Sequence, residues 1–216
     1  MEYSTPAPEL FQQFFEETYP IFEETKKYSL LIEKLGGKVE IGPINEQRST
    51  LFHLYRFNGK PEEIQQHYIE AKEHLYRACY DTYVILVGIL MDKIYSVKET
   101  FGVEIIVAVC PDYYNRIAPE LNSLLQEIVK IRGDRLTNHD VAGKTYSVVH
   151  RERYETIRIL LEWHQQLESL MNLFVEYRDE LREKERRKSN KELFIRISIA
   201  VISILITLAV EKYIIK

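Results

Sequence analysis

Apolar positions recur at helical spacing along most of the chain. In residues 9–35 they form broad faces that are interrupted near Pro20, and this spacing predicts a first helix. A second helix start stands at Pro61, which is followed by two glutamates that suit the positive end of a helix dipole. Beyond it the pattern becomes apolar on every side by the stretch "YVILVGIL", so we expect a central buried helix.

The second half of the chain predicts two further helices. Residues 120–132 form one, and residues 152–190 form a long one in which apolar positions recur every seven residues. That repeat fits either an ordinary bundle helix or a coiled coil, and its members are Leu160, Trp163, Leu167, Leu170, Phe174, Tyr177 and Leu181. The end of this helix is nearly all charged, which predicts a stalk that projects from the bundle.

Two segments are ambiguous at this level. Residues 36–60 hold glycines and short alternating stretches, so they fit an irregular loop or a β-hairpin. The stretch "VEIIVAVCP" fits either a buried strand or a helix, because periodicity does not separate the two. Gly and Pro number only 8 and 7, which favours long helices over a turn-rich fold. The predicted fold is therefore all-α, an up-and-down helical bundle with a long C-terminal helix.

A final apolar run, residues 197–210, carries no charge. With its semi-apolar flanks, the segment 193–215 is long enough to cross a bilayer as a transmembrane helix if Arg196 and Lys212 reach the two surfaces. Lys and Arg crowd the N-terminal side of the run, so the positive-inside rule places residues 1–192 in the cytoplasm. We therefore expect a single-pass anchor in the inner membrane. The alternative is a buried core helix or a packing segment.

Composition narrows the chemistry. The net charge of −4 argues against electrostatic binding of nucleic acid by the whole chain, although it leaves room for a local basic patch. Cys79 and Cys110 belong to no CxxC pair, so we expect reduced core thiols. His67, Glu70 and His74 share one face of the central helix, but a metal site would need more ligands from a facing helix. A polar seam is therefore the preferred interpretation, and we expect no metal and no cofactor.

The residues with the most chemistry concentrate in "IRGDRLTNHD", residues 131–140. On a helix through residues 121–139, an apolar stripe runs along one face, and Arg132, Arg135 and His139 continue the line of that stripe. The three side chains are therefore expected near a domain seam or a subunit interface. The alternative is an ordinary helix end, where the helix dipole alone favours cations.

The stretch "RGDRLTNH" resembles the R-x(4–6)-H motif of HEPN domains, and its setting is similar to the abortive-infection branch of that family. The resemblance covers roughly residues 60–180. It implies a metal-independent endoribonuclease that pairs two-fold and serves as an antiviral defence effector or as the toxin of a toxin–antitoxin system. A histidine can move the proton of an RNA 2′-hydroxyl, and an arginine can hold the phosphate. The implied roles are acid/base catalysis for His139, phosphate clamps for Arg132 and Arg135, and orientation of the imidazole for Asn138 and Asp140.

These interpretations give a linear plan of the chain. Residues 1–58 form an N-terminal extension, residues 59–181 the HEPN-like bundle, residues 182–192 a basic stalk and residues 193–215 the anchor. The expected partners are RNA, the membrane and a second copy of the chain. The alternative function is non-enzymatic: a tail-anchored helical adaptor or immunity protein that binds a protein partner.

Overall fold

A computed structural model describes residues 8–36, 38, 41–58, 61–126 and 146–214, with side chains over 9–36, 38, 41–57, 63–126 and 155–204. Every regular element in these ranges is helical, so the all-α prediction is confirmed. In chain order the elements are α1 (Pro8–Lys34), α2 (Ile41–Tyr55), a 3₁₀ turn (Arg56–Asn58), α3 (Pro61–Val109), a π-helical turn (Tyr113–Ile117), α4 (residues 118–126), α5 (Tyr146–Ser169) and α6 (Met171–Ile214).

The central helix is α3, as the pattern predicts, and the other helices pack around it. Two pairs of contacts give the direction of α1: Phe14 packs on Tyr68 with ring centroids 5.7 Å apart, and Tyr28 lies 6.4 Å from Tyr83. From the first contact to the second, the residue numbers increase on both helices, so α1 runs parallel to α3. Lys72 on α3 adds an ion pair with Glu17 on α1.

The segment between α1 and α3 is helical rather than a hairpin or a loop. Gly36 ends α1 with a φ of 79°, a left-handed conformation that suits glycine, and its N–H donates to the Glu33 carbonyl at 3.0 Å. In α2, Pro43 lies in the first turn, where its missing N–H costs nothing. Pro43 and Thr50 are buried at a spacing of two helical turns, so one face of α2 covers α3.

α3 is 49 residues long and is broken at one position. Gly102 has φ 75° and ψ 171°, which is not helical, so the helical axis changes there before residues 103–109 continue. This backbone region is open almost only to glycine. The stretch "VEIIVAVCP" is therefore helical up to Val109 and not a strand.

The main core lies between α3, the C-terminal part of α1 and the helices that follow α3. From α3 it takes fully buried leucines and isoleucines, among them Leu86, Leu90, Ile94 and Ile106. α5 contributes the heptad positions Leu160, Trp163 and Leu167, all buried. The seven-residue repeat thus packs into the bundle core. Each such side chain contributes about 1.5–3 kcal/mol by its removal from water.

The long helix expected over residues 152–190 is interrupted. α5 ends at Ser169 and α6 begins at Met171, and the backbone N–H of Leu170 donates to the carbonyl of Leu167 at 3.1 Å, an i−3 bond. Phe174 then re-enters the core, where its ring lies 5.1 Å from Phe101. The same face is apolar on both sides of the break, so the heptad pattern in the sequence continues without interruption.

The two cysteines agree with their prediction, since Cys79 and Cys110 are both buried and neither forms a disulfide bond. Beyond Leu181, α6 leaves the core, and the side chains from 182 to 197 are all exposed.

The transmembrane anchor expected over residues 193–215 is wrong, and with it the single-pass placement in the inner membrane. Among the helices whose side chains the structure describes, none is long and apolar enough to cross a membrane. The uncharged run of α6, residues 197–210, covers only about 21 Å at 1.5 Å per residue, whereas a hydrocarbon core is about 30 Å thick. Residues 205–215 lie outside the described side chains.

Candidate functional site

The motif residues predicted from the sequence lie outside the described residues. Residues 127–145 contain all five: Arg132, Arg135, Asn138, His139 and Asp140. The helix that leads toward them is described as far as residue 126. Of the apolar stripe predicted there, Leu121 is fully buried, Leu124 is half-buried and Leu125 is 44% exposed. The stripe therefore enters the core at its start, and its remaining members fall in the segment that is not described.

A histidine–carboxylate cluster is the most concentrated set of chemistry-bearing side chains in the described part of the chain. α2 and α3 are joined by a short connection and run antiparallel, so that His53 meets His67 and Glu46 meets His74. On α3, His67, Glu70 and His74 recur at three- and four-residue steps and share the face that α2 covers. We call His53, His67 and Glu70 the triad.

One atom from each member of the triad lies within 3.4 Å of the other two. The Nδ1 atoms of His53 and His67 are 3.1 Å apart. Oε2 of Glu70 lies 2.9 Å from Nδ1 of His53 and 3.4 Å from Nδ1 of His67. These three are the atoms in the described residues that could hold a metal ion together. The side chains are partly accessible, with 14%, 18% and 33% of their surfaces exposed for His53, His67 and Glu70.

A second layer of polar contacts fixes the triad. Gln66 Nε2 donates to Oε1 of Glu70 at 2.7 Å, so the other carboxylate oxygen is left to face the histidines. The His74 ring stacks on the His53 ring with centroids 5.1 Å apart. His74 is held in turn by Glu46, whose Oε2 lies 2.7 Å from its Nδ1. Outer contacts of this kind set the orientation of ligand side chains at metal sites.

The surroundings shift the pKa values of two members of the triad, His53 and Glu70. Burial lowers the pKa of His53, and it outweighs the opposing pull of the Glu70 charge. The hydrogen bond from Gln66 lowers the pKa of Glu70, with the nearby histidines adding to the effect. These shifts favour an uncharged imidazole on His53 and an ionised carboxylate on Glu70.

The sequence pattern identified half of this cluster. Spacing alone puts His67, Glu70 and His74 on one face, and the missing condition was a facing helix with further ligands. α2 supplies that helix, and with it His53 and Glu46. Residues 36–60 fitted a loop or a hairpin equally well, so no helix was predicted there. Without that helix, His53 and Glu46 could not be aligned with positions on α3.

No family model, no curated protein and no solved structure matches the chain. The HEPN resemblance therefore stays a prediction that rests on the residues of the motif.

Proposed function

We propose that the protein is a HEPN-like endoribonuclease that cleaves RNA without a metal ion and acts as a defence effector or toxin. The observation that supports the proposal concerns the two ends of the motif-bearing segment. The described helix before it is anchored by Leu121, and α5 after it is anchored by Ile157 and Leu160, all buried in one hydrophobic core. The described helices on either side of residues 127–145 therefore pack into the same hydrophobic core.

The fixed positions of the two flanking helices matter for this chemistry. General acid–base catalysis needs the imidazole within hydrogen-bond reach of the proton that it moves, and a wandering segment would lose that geometry. In the proposed reaction His139 takes the proton of the RNA 2′-hydroxyl. The 2′-oxygen attacks the phosphorus to form a cyclic phosphate, the bond to the 5′-oxygen breaks, and the imidazolium returns the proton to the 5′-oxygen, which leaves as a hydroxyl. Arg132 and Arg135 hold the phosphate, Asn138 and Asp140 orient the imidazole, and two copies of the chain share the cleft.

The products of that reaction provide the test. Total RNA from cells that express the full chain should carry new 5′-hydroxyl ends, and these should vanish for His139→Ala and Arg132→Ala. His164→Ala is the matched control, because His164 is a partly buried histidine on α5 that does not belong to the motif sequence. New ends that persist in both motif variants would refute the proposal. An absence of new ends from folded wild-type protein, in the presence of its RNA, would also refute it.

A second candidate is a non-enzymatic adaptor that binds a protein partner. One observation favours it: Phe15, Tyr19 and Phe22 recur along one face of α1 and are 55%, 62% and 48% exposed. Contiguous exposed aromatics at helical spacing are typical of surfaces that receive another helix. This candidate predicts that partner binding survives His139→Ala and is lost in Tyr19→Asp. The nuclease proposal predicts the opposite pattern for RNA cleavage.

A further inference from the structure

We propose that His53, His67 and Glu70 bind one first-row divalent transition-metal ion, with Zn²⁺ as its simplest representative, between α2 and α3. The inference goes beyond the nuclease proposal. It uses only residues of α2 and α3 and none of residues 127–145, so either proposal can fail without the other.

The distances within the triad carry the inference. Ligand atoms about 2.1 Å from a metal are about 3.0 Å apart on an octahedral face and about 3.4 Å apart on a tetrahedral face. The three separations in the triad, 2.9, 3.1 and 3.4 Å, cover that range. A point about 2.1 Å from all three atoms therefore exists, about 1 Å out of their plane.

Hydrogen bonding alone satisfies such a triangle poorly. A proton on one corner can point along only one side, since hydrogen bonds weaken steeply when they bend below about 120°. The carboxylate oxygen of Glu70 can accept a hydrogen bond from both rings only if both Nδ1 atoms are protonated. Two N–H groups would then face each other across the 3.1 Å that separates the two Nδ1 atoms. A cation at the centre attracts all three atoms at once and removes this conflict.

The donor types select the class of ion. Two imidazole nitrogens and one carboxylate oxygen suit Zn²⁺, Fe²⁺ and their neighbours, whereas Mg²⁺ and Ca²⁺ prefer oxygen throughout. Three protein ligands leave at least one coordination position for water, and the partial exposure of the triad gives an ion access from solvent.

Calorimetric titration of the full chain with Zn²⁺ tests the site. The wild type should bind one ion per chain, and His53→Gln, His67→Gln and Glu70→Gln should each weaken binding by more than about 100-fold, beyond the 10–100-fold typical for outer contacts. Mg²⁺ should give no heat of binding at the same concentrations. Far-UV circular dichroism confirms that the variants keep the helical content of the wild type.

Two histidines serve as controls. His164→Gln lies elsewhere in the bundle at a similar side-chain exposure, 17%, and should leave Zn²⁺ affinity unchanged. His74→Gln touches the triad without joining it, and should lower the affinity by no more than about tenfold. Failure of the folded wild type to bind Zn²⁺ would overturn the proposal. Binding that ignores the triad variants, or that is lost equally in His164→Gln, would overturn it too.

A measurement on the wild type covers the case in which a variant fails to fold. X-ray absorption at the zinc edge of the loaded protein should show two imidazole ligands with light-atom distances of about 2.0–2.1 Å. A shell that contains sulfur, or only one imidazole, would place the ion elsewhere and refute the assignment.

Discussion

The two halves of α3 meet their neighbours in different ways. Around residues 63–77 the helix faces α1 and α2 with ion pairs, histidines and an aromatic cluster of Phe14, Phe57 and Tyr68. From Tyr83 onward it faces the C-terminal part of α1 and the helices α4, α5 and α6 with a nearly all-apolar surface. Apolar packing is non-directional and depends on area, whereas the polar half depends on the position of single atoms. The apolar half should thus carry the stability, and the polar half the specific chemistry.

The largest effect should follow truncation of a side chain that packs in the same core as the apolar half of α3. Trp163→Ala removes a side chain that is only 5% exposed, so the free energy of unfolding should fall by about 3–5 kcal/mol. Urea denaturation followed by circular dichroism measures this loss. Leu173→Ala, at a site that is 50% exposed, should cost less than about 0.5 kcal/mol. Equal losses of unfolding free energy at the two sites would show that Trp163 does not lie in the core.

The polar half should respond to zinc instead. If the triad holds the ion, Zn²⁺ at 100 times its dissociation constant should stabilise the wild type by about 2.7 kcal/mol, or roughly 5–10 °C in Tm. The physical reason is that the ion binds the folded chain and not the unfolded one. Differential scanning calorimetry should show no such shift for His53→Gln. A shift of equal size in that variant would place the stabilising ion outside the polar half.

Two glycines on the apolar half offer a matched pair. Gly102→Ala forces a side chain into φ 75° and ψ 171°, so it should destabilise the fold by about 1–3 kcal/mol. Gly88→Ala lies within the helix, where a Cβ meets nothing within 4 Å, so it should stabilise by up to about 1 kcal/mol. Chemical denaturation of both variants gives the two signs. Stabilisation by both substitutions would mean that α3 is unbroken at Gly102.

The smallest effect concerns acid on the polar half. The hydrogen bond from Lys72 lowers the pKa of Glu17 from 4.5 to about 2. A depressed carboxyl pKa adds stability above pH 4.5, and this stability is lost as the pH falls toward 2. Glu17 is 37% exposed, so solvent limits the contribution to at most about 1 kcal/mol.

Glu17→Gln should therefore flatten the dependence of unfolding free energy on pH between 5 and 2. The control is Glu16→Gln, an exposed carboxylate on the same helix with no cationic partner on α3. Denaturation curves at several pH values give the pH dependence of the unfolding free energy for each variant. A slope that changes as much for Glu16→Gln as for Glu17→Gln would reduce the ion pair with Lys72 to a surface contact without consequence.

The sequence predicted the apolar half well, for a physical reason. Periodic burial leaves a direct trace in the pattern, and Leu160, Trp163 and Leu167 lie in the core as their spacing indicates. The break at Leu170 left no such trace, because the apolar face continues on both sides of it. Gly102 carried a weak signal, since glycine inside a helical pattern is compatible with either a break or a simple substitution.

The polar half was only partly predictable. His67, Glu70 and His74 could be placed on one face of α3, but contact across two helices depends on a register that no local pattern encodes. The low amphipathicity of α2 hid it as a helix: Leu51, Phe52 and Tyr55 are all exposed, so its apolar residues do not mark its buried side. The expected membrane anchor was also wrong, because no helix whose side chains the structure describes is apolar over enough length to span a bilayer.

The short connection between α2 and α3 has a consequence for the order of folding. His53 and His67 are only 14 positions apart, so their meeting closes a small loop at little cost in chain entropy. Contacts this local form fast, and α2 with the first turns of α3 leaves the ribosome well before α5 and α6 are made. The helical hairpin that carries the triad is therefore positioned to assemble during synthesis, while the partners of the apolar half are still being translated.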